Sequence, residues 1–217
     1  MTTIKTYAGG MFGENTYLAY DASAGAGVLI DPGAMAVQAL EEVDRLGLEL
    51  EAVLLTHAHL DHVEGLAAVR AASPAPIWLH PADRPLFDSV MQQAAMFGVQ
   101  IETPPDPDKD LVPGQVLEFA GASWEVLFTP GHAPGHVIFW SEAEGTCFVG
   151  DVVFAGSIGR TDLPGGDFHT LMASIRGKVL SLPDDTRLLT GHGPETTVGG
   201  ERRGNPFLAP QFGGELA

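Results

Sequence analysis

The chain has 217 residues, with 28 acidic side chains against 11 basic ones and a formal net charge of −17. So acidic a chain repels phosphate backbones, which argues against nucleic acid as a partner. No run approaches the roughly 20 apolar residues that a membrane helix needs. The length suits one domain, residues 1–217, with a sizeable core.

Behind Lys5 there is no apolar run, so no secretory leader is expected and a cytoplasmic location is. Asn15 to Tyr20 and Gly27 to Ile30 read as strands, closed by the turn Asp31-Pro32-Gly33. From Met35 to Leu46 apolar residues recur at helical spacing (Val37, Leu40, Val43, Leu46), and Gly47 is a plausible stop. Ala52 to Leu55 reads as a buried strand, and Val63 to Ala72 as a helix. Ile77 to Leu79 is a strand candidate, Arg84 to Phe97 a helix, and the proline-rich stretch Thr103 to Pro113 a loop. Successive strands are expected at Val116–Phe119, Trp124–Phe128, Val137–Trp140 and Cys147–Val149. Cys147, the only cysteine, reads as a small buried hydrophobe. Phe168 to Leu182 looks helical, Arg187 to Thr190 is a last short strand, and the tail from Gly199 reads as irregular. Strands and helices mixed in this order indicate an α/β fold.

Chemistry concentrates where the strands end. His57-Ala58-His59-Leu60-Asp61-His62 follows the run ending at Leu55. Imidazole and carboxylate are good ligands for zinc and similar divalent ions. If His57 and His59 prolong the strand they project to one side, while Asp61 and His62 fall in the turn and face a second position. Four ligand-type residues in six exceed what one ion needs and suggest two. His132, Asp151 and His192 each follow a strand and are flanked by glycine, which lets backbone crowd a site.

These residues, in this order, resemble the metallo-β-lactamase superfamily, and more narrowly its glyoxalase II (hydroxyacylglutathione hydrolase) branch. The supporting segments are Thr129 to His136, Gly156 to Asp162 and Gly191 to Thr197. The stretch Glu201 to Leu208 is similar to the short bacterial form of that enzyme. The resemblance implies a four-layer αββα sandwich with two divalent ions at one edge, zinc first, with iron or manganese as alternatives. His57, His59 and His132 would hold one ion, Asp61, His62 and His192 the other, and Asp151 would bridge them. A hydroxide between ions roughly 3.5–4 Å apart would attack the substrate carbonyl. On this basis Asp61 and Asp151 are the catalytic candidates. Glyoxalase II carries a C-terminal helical domain that helps bind glutathione. Only 25 residues follow His192 here, three of them Pro, so thioester chemistry carries over better than glutathione preference.

Other residues stay open. His80 reads as structural. His136 orients a ligand or simply packs, His169 reads as surface or capping, and Asp31 is a turn residue or a contact to a ligand. Arg160 is the basic residue expected near substrate, where its fork could pair with a carboxylate; the alternative is a surface Arg. Arg202 and Arg203 are not placed by the sequence. Hydrolysis of a glutathione thioester such as S-lactoylglutathione is the leading function, with a small molecule as the partner and the oligomeric state open. The alternative is a persulfide dioxygenase using one iron on His57, His132 and Asp151. A non-enzymatic metal-binding module is the third reading.

Overall fold

The computed structural model describes residues 2–209. Strand alternation sorts its apolar side chains into three cores. The first sheet runs in the order β1 (Thr3–Gly9), β2 (Glu14–Asp21), β3 (Ala26–Ile30), β4 (Glu49–Leu54), β5 (Ile77–Leu79) and β6 (Lys109–Asp110). The second contains β7 (Val116–Phe119), β8 (Ala122–Phe128), β9 (Val137–Ser141) and β10 (Thr146–Gly150). A short hairpin, β11 (Val153–Phe154) and β12 (Ser157–Ile158), follows. The second sheet is completed by β13 (Arg187–Thr190) and β14 (Thr196–Thr197), giving the order β14-β13-β10-β9-β8-β7.

Tyr17, Val28, Ile30 and Leu54 of the first sheet meet Trp124, Phe139, Phe148 and Leu189 of the second in a buried middle layer. The alternate residues Leu18, Leu29 and Val53 pack outward, against α1 (Ala36–Leu46), α3 (Leu66–Ala72) and α5 (Val90–Phe97). On the far side Ile138, Cys147, Val149 and Leu188 meet Leu171 and Met172 of α6 (Phe168–Ser174), together with Ile175 and Val179. Helix, sheet, sheet and helix form the expected αββα sandwich. Both sheets are mixed: β3 runs parallel to β4 and β10 parallel to β13.

Several elements depart from the sequence expectation. The edge strand β1 was not anticipated, because its half-exposed residues lack a clean alternation. The helix expected from Val63 is α2 (Leu60–Val63) and then α3, separated at Gly65. A Cβ at Gly65 would lie 2.4 Å from the Gly33 carbonyl, so close backbone approach sets the break. The span Arg84–Phe97 is also two helices, α4 (Arg84–Asp88) and α5, broken at Ser89, whose hydroxyl donates to the Leu86 carbonyl at 2.7 Å. After α6 the backbone widens into a π-type turn over Ile175–Val179. His57 and His59 do not prolong a strand, since β4 stops at Leu54.

The tail is not irregular over its described part. Residues Val198–Gly204 form α7, capped by Thr197, whose hydroxyl accepts from the Gly200 amide at 3.1 Å. Arg202 and Arg203 pair with Asp184 and fasten this helix rather than meet a ligand. Buried Glu201 accepts from the Gly156 amide, the Thr196 hydroxyl and the Asn205 amide at 2.6–2.9 Å. One carboxylate thus joins the tail to the β11–β12 hairpin. Glu201→Ala strands those three donors, and hydrogen bonds to a charged group contribute about 1.5–3 kcal/mol each. Urea denaturation should show a loss of at least about 2 kcal/mol; an unchanged midpoint would remove this role from Glu201.

Candidate metal centre

The parallel strands bring their carboxyl ends to one edge of the sandwich, the usual place for ligands in sheets of this kind. Asp31 follows β3, the His57–His62 segment follows β4, Asp151 follows β10 and His192 follows β13. All seven ligand-type residues read from the sequence meet there. His57, His59 and His132 place one nitrogen each within 4.8 Å of one another. Asp61, His62 and His192 form a second triad within the same limit. Asp151 lies between them, Oδ2 3.4 Å from Nε2 of both His132 and His192, and Oδ1 3.4 Å from Nε2 of His62. A Cβ at Gly191 would lie 2.0 Å from Asp151 Oδ1. Only glycine lets the β13 end come so near.

The outward ring nitrogens are held by acceptors, and this fixes the tautomers. The Thr56 hydroxyl donates to Asp31 Oδ2 at 2.7 Å, so it must accept from His57 Nδ1 at 3.0 Å. His62 Nδ1 donates to Asp31 Oδ2 at 3.0 Å, His132 Nδ1 to the Arg160 carbonyl at 2.7 Å, and His192 Nδ1 to the Phe12 carbonyl at 3.1 Å. Four rings therefore turn Nε2 toward the centre. His59 is reversed and presents Nδ1, 2.8 Å from His132 Nε2.

Lone pairs so crowded repel unless a cation sits among them. His62 Nε2 and Asp151 Oδ1 are buried with no hydrogen-bond partner, which costs free energy in a dry site. Protons make up part of the missing positive charge. Burial pulls the His192 imidazole down, but hydrogen bonds to Asp151 and Asp61 outweigh it and carry it up to about 10. His62 is likewise raised against burial, by Asp151, Asp61 and Asp31. Burial drives His59 down to about 3. The donor set thus fits divalent ions, which would take over this charge balance.

Asp31 is in direct contact with the cluster, through His62, and is more than a turn residue. Its backbone has a φ of 48°, a conformation costly outside glycine and tolerated where a site over-determines it. His136 is also an orienting group. Its Nε2 accepts the Asp151 amide at 3.1 Å, and its ring stacks on His57. His80 takes no part; its Nδ1 accepts from the Ala82 amide and its ring stacks on Phe128. His169 is exposed, and Asp167 caps its helix.

The cluster opens into a cavity of about 320 Å³ walled by Phe12, Leu60, Phe97, Phe154 and Ile158, with Arg160 on its wall. The Arg160 guanidinium forms a two-bond fork to Asp162, 2.7 Å for each.

A family model, described as the metallo-beta-lactamase superfamily, matches residues 9–192. The chain belongs to the metallo-beta-lactamase superfamily. It thereby joins a superfamily of metal-binding hydrolases, and relatives agree. The hydroxyacylglutathione hydrolase GloC of Haemophilus influenzae is 41% identical over 199 residues, 91% of this chain and 93% of that one. Among solved structures, TTHA1623 in a di-iron-bound form is 43% identical at a TM-score of 0.86, covering 94% of this chain and all of that one. The BLEG-1 B3 metallo-beta-lactamase is 38% identical at a TM-score of 0.87, covering 95% and 100%. Among the described residues no helix is long and apolar enough to cross a membrane.

Two clamps that leave no mark in the sequence hold the ligand loops. Asp83 is wholly buried; Oδ2 accepts the Ala58 amide at 2.9 Å and Oδ1 the Gly135 amide. One carboxylate thus ties the His57–His62 segment to the loop that carries His132. Asn15 holds the third loop, donating from Nδ2 to the Thr190 and Gly193 carbonyls at 2.9 and 2.8 Å. Neither residue has a local signal beyond being polar near a strand.

Asp83→Asn turns an NH2 toward one of the two amides and should cost about 1–3 kcal/mol in thermal denaturation, with metal content reduced. Unchanged stability would mean that the clamp is dispensable. Proton linkage gives a second outcome. Hydrogen bonds to Asp151 and Asp61 push the His192 imidazole up to about 10, which favours its protonated form near neutral pH, and metal uptake must expel that proton. Apparent affinity should therefore rise with pH. Calorimetric titration with zinc should give an enthalpy that varies with the buffer's ionisation heat; a buffer-independent enthalpy would contradict this.

Proposed function

We propose that this chain is a metal-dependent thioesterase that hydrolyses a glutathione-type thioester of the S-lactoylglutathione kind, working as a single domain. The observation that carries the reading is the pair of ligand triads joined by Asp151 at the floor of a cavity. The likeness to the hydroxyacylglutathione hydrolase supports it.

His57, His59 and His132 would hold one ion, Asp61, His62 and His192 the other, and Asp151 would touch both. Zinc is the leading candidate, and the di-iron form of one relative keeps iron open. Two such ions, when bound, lower a water's pKa toward neutrality and polarise a carbonyl. Burial works against the Asp61 charge, but His62 and His192 keep the carboxyl below its usual range. It therefore stays ionised, an acceptor that can orient the attacking water. The thiol departs readily as thiolate, its pKa near 8.5, so no strong side-chain acid is required. Leu60, Phe97 and Phe154 give the cavity an apolar wall beside the ligand cluster. Arg160 can turn from Asp162 to a substrate carboxylate.

The one-iron dioxygenase reading would use only His57, His132 and Asp151 and would leave the second triad idle. Two metal ions per chain are expected by elemental analysis. Asp61→Ala should lower thioester hydrolysis by orders of magnitude, and Asp151→Ala should remove metal and activity together. Zinc-loaded and iron-loaded protein should each release thiol from S-lactoylglutathione and take up no oxygen with glutathione persulfide. Rapid oxygen uptake with negligible thioester cleavage would install the dioxygenase instead.

A further inference from the structure

A second cavity, of about 270 Å³, adjoins the first. The two share His59, Gln93, Phe97 and Leu163, so the second begins at the edge of the ligand cluster and leads away between α4–α5 and the Leu163–Pro164 loop. No Lys, Arg, Asp or Glu lines it among the described residues. Two of its four polar side chains, Gln93 and Ser89, are engaged within the protein. Gln93 Oε1 accepts the Leu60 amide at 3.0 Å, and Gln93 Nε2 donates to the Leu86 carbonyl at 3.0 Å. The Ser89 hydroxyl donates to that same carbonyl. A polar ligand group would lose water there and gain little in exchange. Met96 and Phe97 stand at the opening 76% and 39% exposed, and large apolar side chains left exposed beside a site mark a surface that something apolar covers.

We propose that this second cavity is an acyl-chain subsite, so that glutathione-type thioesters of straight apolar acyl groups several carbons long are substrates as well and gain affinity there over that of a small hydroxy acid. The inference rests on the thioesterase reading and assigns the two sides of the scissile carbonyl. A glutathione-type carrier bears two carboxylates and an ammonium, which need polar partners. The one Lys or Arg side chain on the first cavity, among the described residues, is Arg160, and it does not line the second. The charged carrier therefore lies toward Arg160. The acyl chain, on the other side of the carbonyl, runs past His59 toward Leu86 and Met96.

Two measurements test this. The first is kcat/KM across S-acetyl-, S-butanoyl-, S-hexanoyl- and S-octanoylglutathione. Each buried methylene should raise it about fourfold, from about 0.8 kcal/mol per methylene, until the cavity is full. The second needs no turnover: calorimetric Kd values for S-methyl-, S-butyl- and S-hexylglutathione, whose alkyl group takes the acyl side. The hexyl thioether should bind at least about tenfold tighter than the methyl one, the gain from burying about two of its five added methylenes. Met96→Glu puts a carboxylate at the opening and should cut that preference to about twofold or less. Met91→Glu, on the same helix but outside the cavity, should keep it. Equal Kd values for the methyl and hexyl thioethers would overturn the subsite, even if every short thioester is hydrolysed. Chain-length-dependent binding with no thioester cleaved would instead sink the thioesterase reading and leave the apolar subsite in place.

Discussion

Converging lone pairs in a dry edge of the sandwich are the constraint on which the rest of this structure depends. Five imidazoles and two carboxylates aim unshared electron pairs at one another across a few ångströms. Burial without a compensating positive charge is costly for such a set. The surroundings accept that cost and narrow the outcome. Thr56, Asp31 and the carbonyls of Arg160 and Phe12 occupy the outward ring nitrogens, so Nε2 of these rings is turned to the centre. A site of this kind is finished by protons or by cations, and its carboxylates favour the more highly charged of the two.

The ligands come from both sheets. His57, His59, Asp61 and His62 belong to the first, while His132, Asp151 and His192 belong to the second. Bound ions would therefore cross-link the sandwich, and metal affinity and folding stability become one quantity. Backbone and side-chain straps hold the halves in register beforehand. Tyr17 donates to the Thr190 carbonyl at 2.6 Å, and the Val137 amide donates to the Thr56 carbonyl at 2.9 Å. Both straps cross from one sheet to the other beside the strand ends that carry ligands. Asp83 adds a third link, between the two loops that carry the first triad. Each strap lowers the freedom that the ions would otherwise have to remove.

This division explains what the sequence made legible. The buried strands β2, β3, β4, β9 and β10 were visible as apolar runs, and the ligands were visible because histidine and aspartate crowd the strand ends. The straps were not, because a residue such as Asn15 or Asp83 acts across more than 50 positions of sequence or against a distant loop, and nothing in its neighbours marks that reach. The breaks at Gly65 and Ser89 were missed for a related reason. Helical spacing persists through them, and only close backbone approach, or a hydroxyl turned onto a carbonyl, interrupts the helix. Helix α7 was hidden by its composition, since three of its seven residues are glycine and its stability comes from Glu201 and the docked Val198 rather than from propensity.

Arg160 shows where chemistry read from residue type stops short. Its side chain does reach the cavity, as expected of the one basic group near the ligands, but two oxygens of Asp162 already satisfy its fork. The pair is exposed on both sides, where ion pairs contribute little. A substrate carboxylate that takes the place of Asp162 exchanges one solvated partner for another and gains little net affinity. Meanwhile the chain as a whole, at −17, disfavours an anion's approach. Orientation is then what Arg160 can offer, together with its backbone carbonyl, which holds His132 in place. Affinity has to come from elsewhere, and the apolar walls on the other side of the cluster are the surface able to supply it.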